Sequence, residues 1–233
     1  MAPGTSSRHA EADAELAARD PLLPGLEVLL DDERLTSMLD DALPGAGLRA
    51  AQATYVRYKP QTACIVACRL TLADVQVNAY VRLERPTSQD HLTNDARKAA
   101  ARSPLAHGAV LLPGLTAALY TQPNDRRIAA LPDLADDDRR RKLLAHALPD
   151  HPLLWTSSLQ ALRWKPERRF VAALQGHDGM RALVKAYAGR SSAAFHAATL
   201  LGDRTGPRTP RCLGRSSKAG FIVLEWLPAQ RLQ

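Results

Sequence analysis

The chain has 233 residues and a mass of 25.3 kDa, with 45% hydrophobic and 24% charged side chains and a formal net charge of +7 at a sequence pI of 9.7. That apolar content is enough for a packed core and excludes a chain disordered throughout, and no run approaches the roughly 20 consecutive apolar residues of a membrane helix. Residues Met1-Ala2-Pro3-Gly4-Thr5-Ser6-Ser7-Arg8 have no apolar segment behind them, so no secretory signal is read and the cytoplasm is the expected compartment.

In chain order, Ser6 to Asp20 is Ala/Glu-rich and helical or frayed, and it is broken at Pro21 to Gly25. A helix is predicted from Asp31, with an acidic cap and Leu35, Met38 and Leu39 on one face, stopping at Pro44-Gly45. Strands follow at Thr54 to Tyr58, Ala63 to Leu70 and Val75 to Leu83, then a helix over Ser88 to Arg102. Short strands are expected at Ala109 to Leu112, Ala117 to Thr121 and Arg127 to Leu131, with a turn at Pro123-Asn124-Asp125. The acidic cap Asp136-Asp137-Asp138 opens a helix that ends at Pro149, and Arg139-Arg140-Arg141-Lys142 within it reads as a solvated face. The strand pattern returns at Leu159 to Trp164, Phe170 to Gln175 and Arg181 to Tyr187. A helix at Ser191 to Leu201 and strands at Pro210 to Leu213 and Phe221 to Trp226 complete the reading.

Three cysteines, Cys64, Cys68 and Cys212, are too few and too oddly placed for a disulfide framework. Cys64 and Cys68 share one strand face about 13 Å apart, beyond disulfide reach. They read as buried structural thiols, and no His/Cys spacing suggests a metal.

Charge is concentrated late. From Thr156 onward 13 Lys/Arg stand against 4 Asp/Glu, whereas residues 1–155 are close to neutral. Such a field suits an anionic partner. Nucleic acid is disfavoured, because only 5% of residues are aromatic and no helix-turn-helix, zinc or RNA-binding signature is present. Only 6 of the 31 cations are lysines, so a lysine marks a place where a point charge is useful.

Two segments repeat. Arg57-Tyr58-Lys59-Pro60 matches Arg163-Trp164-Lys165-Pro166, and the third strand of each unit ends near a cation, Arg82 or Lys185, followed by a helix candidate. The expected fold is therefore α+β with mainly antiparallel strands in two sheet-plus-helix units. The predicted division is a helical segment 1–47, an α+β unit 48–150 and a second unit 151–233.

The second unit resembles the N-terminal lobe of aminoglycoside-phosphotransferase-type kinases. The resemblance rests on the turn Lys165-Pro166-Glu167-Arg168-Arg169, the strand Ala182-Leu183-Val184-Lys185-Ala186-Tyr187, and the ending Ile222-Val223-Leu224-Glu225-Trp226-Leu227-Pro228. It implies that ATP is the cofactor, that Lys185 projects toward its α- and β-phosphates, and that Glu225, Trp226 and Leu227 form the hinge against the adenine. The first unit is similar to the N-terminal extension of some bacterial members. The segment Arg163 to Phe170 departs from the pattern by lacking glycine, so Lys165, Arg168 and Arg169 would meet phosphate as side chains. The following helix offers no acid to hold the lysine, only His196 and Thr199. Gly176-His177-Asp178-Gly179 falls at a turn rather than a catalytic loop.

In such kinases the base-positioning Asp and the metal-binding Asn and Asp come from a C-terminal lobe. No counterpart follows the hinge, so no catalytic residue and no metal ligand is assigned. The expectation is the N-terminal part of a kinase for a small-molecule hydroxyl, truncated or completed by another polypeptide, and not competent alone. Magnesium and the small-molecule acceptor would enter with that lobe. The alternative is a non-catalytic nucleotide- or protein-binding module on a degenerate kinase lobe.

Overall fold

The computed structural model describes residues 6–73, 75–102, 108–177, 179–189 and 209–227. The chain forms two compact units, Met1–Arg126 and Arg127–Gln233. The fold is α+β, with one five-stranded, fully antiparallel sheet in each unit.

The first unit opens with helix α1 (Ser6–Ala18) and a short helix α2 (Leu26–Leu30). Helix α3 (Asp32–Ala42) is capped by Asp31, whose carboxylate accepts from the backbone N–H groups of Glu33 and Arg34, both at 2.9 Å. Strands β1 (Ala50–Lys59), β2 (Ala63–Thr71) and β3 (Gln76–Glu84) form a meander. Helix α4 (Gln89–Arg102) follows, then β4 (Ala109–Leu111) and β5 (Ala117–Thr121), in the sheet order β1-β2-β3-β5-β4. Leu26, Leu29, Leu35 and Leu39 of α2 and α3 pack on Cys64, Val66, Cys68, Val81 and Leu119, all 2% exposed or less. On the other face, Leu92 and Ala96 of α4 are buried, and Tyr80 stacks on Tyr120 with centroids 4.9 Å apart.

The second unit repeats this plan. Helices α5 (Leu131–Ala135) and α6 (Asp137–Ala147) precede β6 (Ser158–Lys165), β7 (Arg169–Gln175) and β8 (Arg181–Tyr187). Strands β9 (Cys212–Ser216) and β10 (Phe221–Glu225) then give the order β6-β7-β8-β10-β9. Helices α5 and α6 have the lengths of α2 and α3, 5 and 11 residues, and Asp136 caps α6 as Asp31 caps α3. The two hairpin turns match as well. Gln61 and Glu167 both have φ of 55°, and Thr62 and Arg168 each donate their N–H to the carbonyl of Lys59 or Lys165 at 3.1 Å.

Three expectations change. The units divide after Arg126 rather than near residue 150, because Ile128, Leu131, Leu134, Leu144 and Leu148 belong to the core of Phe170, Leu174, Val184 and Phe221. Arg127 to Leu131 is not a strand: Ile128, Leu131 and Leu134 are buried at a spacing of three, which is helical, and α5 begins there. The arginine run is not wholly solvated. Arg140 is 6% exposed, and its guanidinium donates to the carbonyls of Ser157 and Leu134, both at 3.0 Å, and to Asp137 at 2.6 Å. The predicted helix Ser191 to Leu201 lies outside the described residues.

Arg140 is thus a clip joining α5, α6 and the entry to β6. Replacing it with Ala leaves two buried carbonyls unpaired and is expected to lower stability by about 3 kcal/mol, while Arg139→Ala stays within about 0.5 kcal/mol. Urea unfolding of both variants checks this, and equal midpoints would contradict it. Gly214 of β9 imposes a second constraint. A Cβ there would collide with the carbonyl oxygen of Ala147 at the end of α6, so Gly214→Ala is expected to lower the same midpoint.

Candidate functional site

Strand alternation sorts the second sheet into two faces. Phe170, Ala172, Leu174, Ala182, Val184, Ala186, Phe221 and Val223 point into the core beneath α5 and α6. The opposite face is read from the pairing register. One row runs Lys165, Arg169, Tyr187, and the next runs Arg163, Val171, Lys185, Ile222, Arg215. Further rows hold Gln160, Ala173, Leu183, Leu224, Cys212 and then Ser158, Gln175, Arg181. Six cations share this face, and none of its paired positions carries Asp or Glu.

Two local features give this placement. Glu167 at positive φ closes the β6–β7 turn and sets Lys165 opposite Arg169. The register shift between Ala161 and Arg163 leaves Leu162 unpaired and turns Arg163 and Lys165 onto the cationic face. If the ladder ran on from Ala161 opposite Ala172 without the shift, Arg163 would lie opposite Phe170, on the core side.

The sequence candidates separate accordingly. Lys165, Arg169 and Lys185 are brought together around Val171: Lys185 lies beside Val171, Arg169 precedes it by two on the same strand, and Lys165 lies opposite Arg169. Lys185 and Lys165 are half-buried and Arg169 is exposed. Arg168 sits in the turn itself, exposed, its carbonyl accepting from the N–H of Ala188 at 2.9 Å. Glu225 lies opposite Ala182, so its side of the strand is the core side, and its carboxylate accepts from the Arg211 backbone and guanidinium, each at 3.4 Å. Trp226 belongs to the cationic side, with the Arg181 guanidinium 4.1 Å from its ring centroid. Leu227 is half-buried next to it. His196, Thr199 and Asp178 lie outside the described residues. Gly176 donates its N–H to the carbonyl of Met180 at 2.8 Å, and the segment is the β7–β8 turn.

Arg163 completes the group around Val171 and was not a sequence candidate, although it lies two residues before Lys165 on the same strand. That i, i+2 spacing was the available signal. Tyr187 borders the group, and burial raises its hydroxyl above the ordinary tyrosine value, so it stays neutral there.

On the equivalent face of the first unit the strand-end cation is paired with an acid. The rows of that face run Lys59, Ala63, Glu84 and Arg57, Ile65, Arg82, Ala118, Leu111, so Arg82 holds the place of Lys185 and Glu84 that of Tyr187. Arg82 pairs with Glu84, and Arg126 reaches Glu84 at 3.7 Å and Asp95 of α4 at 2.6 Å. Ala63 stands where the second unit has Arg169.

Among the described residues no group of three or more His, Cys, Asp or Glu is arranged to hold a metal, and no helix is long and apolar enough to cross a membrane. Comparison with protein-family models, curated proteins and solved structures returns no match.

Cys64 and Cys68 are buried in the first unit's core, and burial pushes both thiols up to about 12 from an ordinary 9.0. At pH 8 both are expected to resist a thiol reagent in the folded protein and to react after unfolding, with Cys212 alone reacting natively. Because the folded state holds these protons more tightly, the linked stability is complete below pH 9 and is lost as pH rises from about 9 to about 12. A stability curve that rises across that interval would contradict the assignment.

Proposed function

We propose that the second unit is the nucleotide-binding lobe of a phosphotransferase similar to the aminoglycoside phosphotransferases, with ATP as its ligand. The observation that carries this reading is the gathering of Lys185 with Arg163, Lys165 and Arg169 on one sheet face whose paired positions carry no Asp or Glu. A lysine on the third strand, aimed from a rigid sheet, supplies the point charge that a phosphate chain requires. The antiparallel strands β6, β7 and β8, and the return through β9 and β10 to Glu225, Trp226 and Leu227, support it.

In this reading Trp226 and Leu227 border the adenine and the cations hold the phosphates. The Arg181 guanidinium lies over the Trp226 ring. The first unit has the same strand order, but its counterpart of Lys185, Arg82, is committed to Glu84. Transfer to a small-molecule hydroxyl would draw a base-positioning Asp and metal-holding residues from a C-terminal lobe, and magnesium would be held there. The reading places the protein in the cytoplasm, where ATP is available.

Lys185→Met keeps the apolar stem and removes the charge. It is expected to weaken ATP binding by at least about tenfold in isothermal titration while leaving the melting temperature of the free protein within a few degrees. Equal affinity in the variant, or no affinity for ATP in the wild type with magnesium present and absent, would overturn the reading.

A further inference from the structure

Strand β6 is an edge of the second sheet as β1 is of the first, and the two edges are finished differently. On β1 the outward backbone groups are met by side chains of α3. The N–H of Ala53 donates to Asp32 Oδ1 at 2.9 Å, the N–H of Ala51 donates to Thr36 Oγ1 at 2.8 Å, and the Thr36 hydroxyl reaches the Ala51 carbonyl at 3.4 Å. In the second unit Leu159, opposite Leu174, holds the place of Ala53, opposite Cys68. The helix residues that would meet it have changed. Asp137 begins α6 as Asp32 begins α3, but its carboxylate is taken by Arg140, and Arg141 stands where α3 has Thr36.

Ser157 shows which groups face outward. Its N–H donates to the Leu154 carbonyl at 3.3 Å and its carbonyl accepts from Arg140 at 3.0 Å, both away from β7. Strand alternation puts the N–H and C=O of Leu159 and Ala161 on that same edge. Among the described residues these outward groups have no partner. Gln160, Ala161, Leu162 and Arg163 are exposed in succession, Leu162 at 49%, whereas exposure alternates along most of β1. We infer that β6 is a docking edge, which takes an extended acidic segment of another protein as an added strand of the sheet. Backbone pairing at Leu159 and Ala161 supplies the attachment, and side-chain charge selects the partner. Strand β6 carries no Asp or Glu, and Arg163 is exposed at its register shift. A carboxylate on the incoming strand beside Arg163 gains a cross-strand ion pair, while a second copy of β6 would set cation against cation. Leu162 adds an apolar contact at the same place.

Fluorescence anisotropy of the full chain tests this with a labelled peptide of alternating valine and glutamate, matched to the 8 residues of β6. The comparison peptides are a valine–lysine version and two valine–glutamate versions, each N-methylated along one backbone edge. The glutamate peptide is expected to bind saturably and at least about tenfold more tightly than the lysine peptide. Ala161→Pro removes an N–H that faces away from β7, so it should weaken binding at least about tenfold while the melting temperature stays within a few degrees. Arg163→Gln should weaken it about threefold. If Ala161→Pro does not fold, the wild type with the methylated peptides decides: loss of binding for one methylated edge alone supports pairing on β6, and equal binding or equal loss for both overturns it. Undiminished affinity in a folded Ala161→Pro, no binding of the glutamate peptide, or equal binding of the lysine peptide overturns it as well. Concentration-dependent dimerisation that Ala161→Pro abolishes would give the edge to a second copy of this chain and overturn the acidic partner.

Discussion

Everything distinctive about the second unit depends on the register of β6 against β7. A strand has a side-chain period of two, so a slip of β6 by one residue would carry Arg163 and Lys165 to the core side and Trp164 away from it. Two local devices prevent that slip. The turn closes through Glu167 in the left-handed region, and the extra residue Leu162 absorbs the offset further along the strand. The core then enforces the choice, because Phe170, Ala172 and Leu174 are each 1% exposed or less against α5 and α6. The cationic face is therefore a consequence of packing on the other side of the same strands.

Internal repetition explains why two similar units diverge in chemistry. The helix pair, the meander and the crossing to the last two strands recur with matching lengths and the same strand order. Such a plan constrains one face of each sheet, where the helix pair must fit. The other face is free to change. In the first unit Arg82, Glu84, Arg126 and Asp95 close it with their own charges, and Tyr80 on Tyr120 fills it. In the second the substitutions of Tyr187 for Glu84 and of Arg169 for Ala63 remove the acid and add a cation. An ion network that neutralises itself is replaced by a face whose paired positions carry no acid.

The strands and the α+β class were legible in the sequence because they show clean alternation between turn residues, as in Arg181 to Tyr187. The helix pair of the second unit was not read as part of a repeat. The signal was present in Asp31-Asp32, Arg34, Leu39 and Ala42-Leu43-Pro44 against Asp136-Asp137, Arg139, Leu144 and Ala147-Leu148-Pro149. Five-residue helices such as α5 are too short to display a period, so Ile128 and Ala130 suggested a strand. Arg140 could not be told from its neighbours, because what satisfies it are carbonyls of Leu134 and Ser157, which no side-chain pattern reveals. At the candidate site, Lys185, Lys165 and Arg169 were named from the kinase resemblance, and that they share one sheet face became visible only with the register. Arg163 required the register, and the separation of Glu225 from that face required the strand parity.

The most direct measurement of the central claim is competitive footprinting of the six lysines. The folded chain is treated briefly with an amine-acylating reagent, with and without ATP in EDTA, and the modified sites are read by mass spectrometry. The account requires ATP to protect Lys165 and Lys185 while Lys142 of α6 and Lys59, the first unit's counterpart of Lys165, keep their reactivity. Uniform labelling with and without ATP, or protection at Lys59 in place of Lys185, would contradict it.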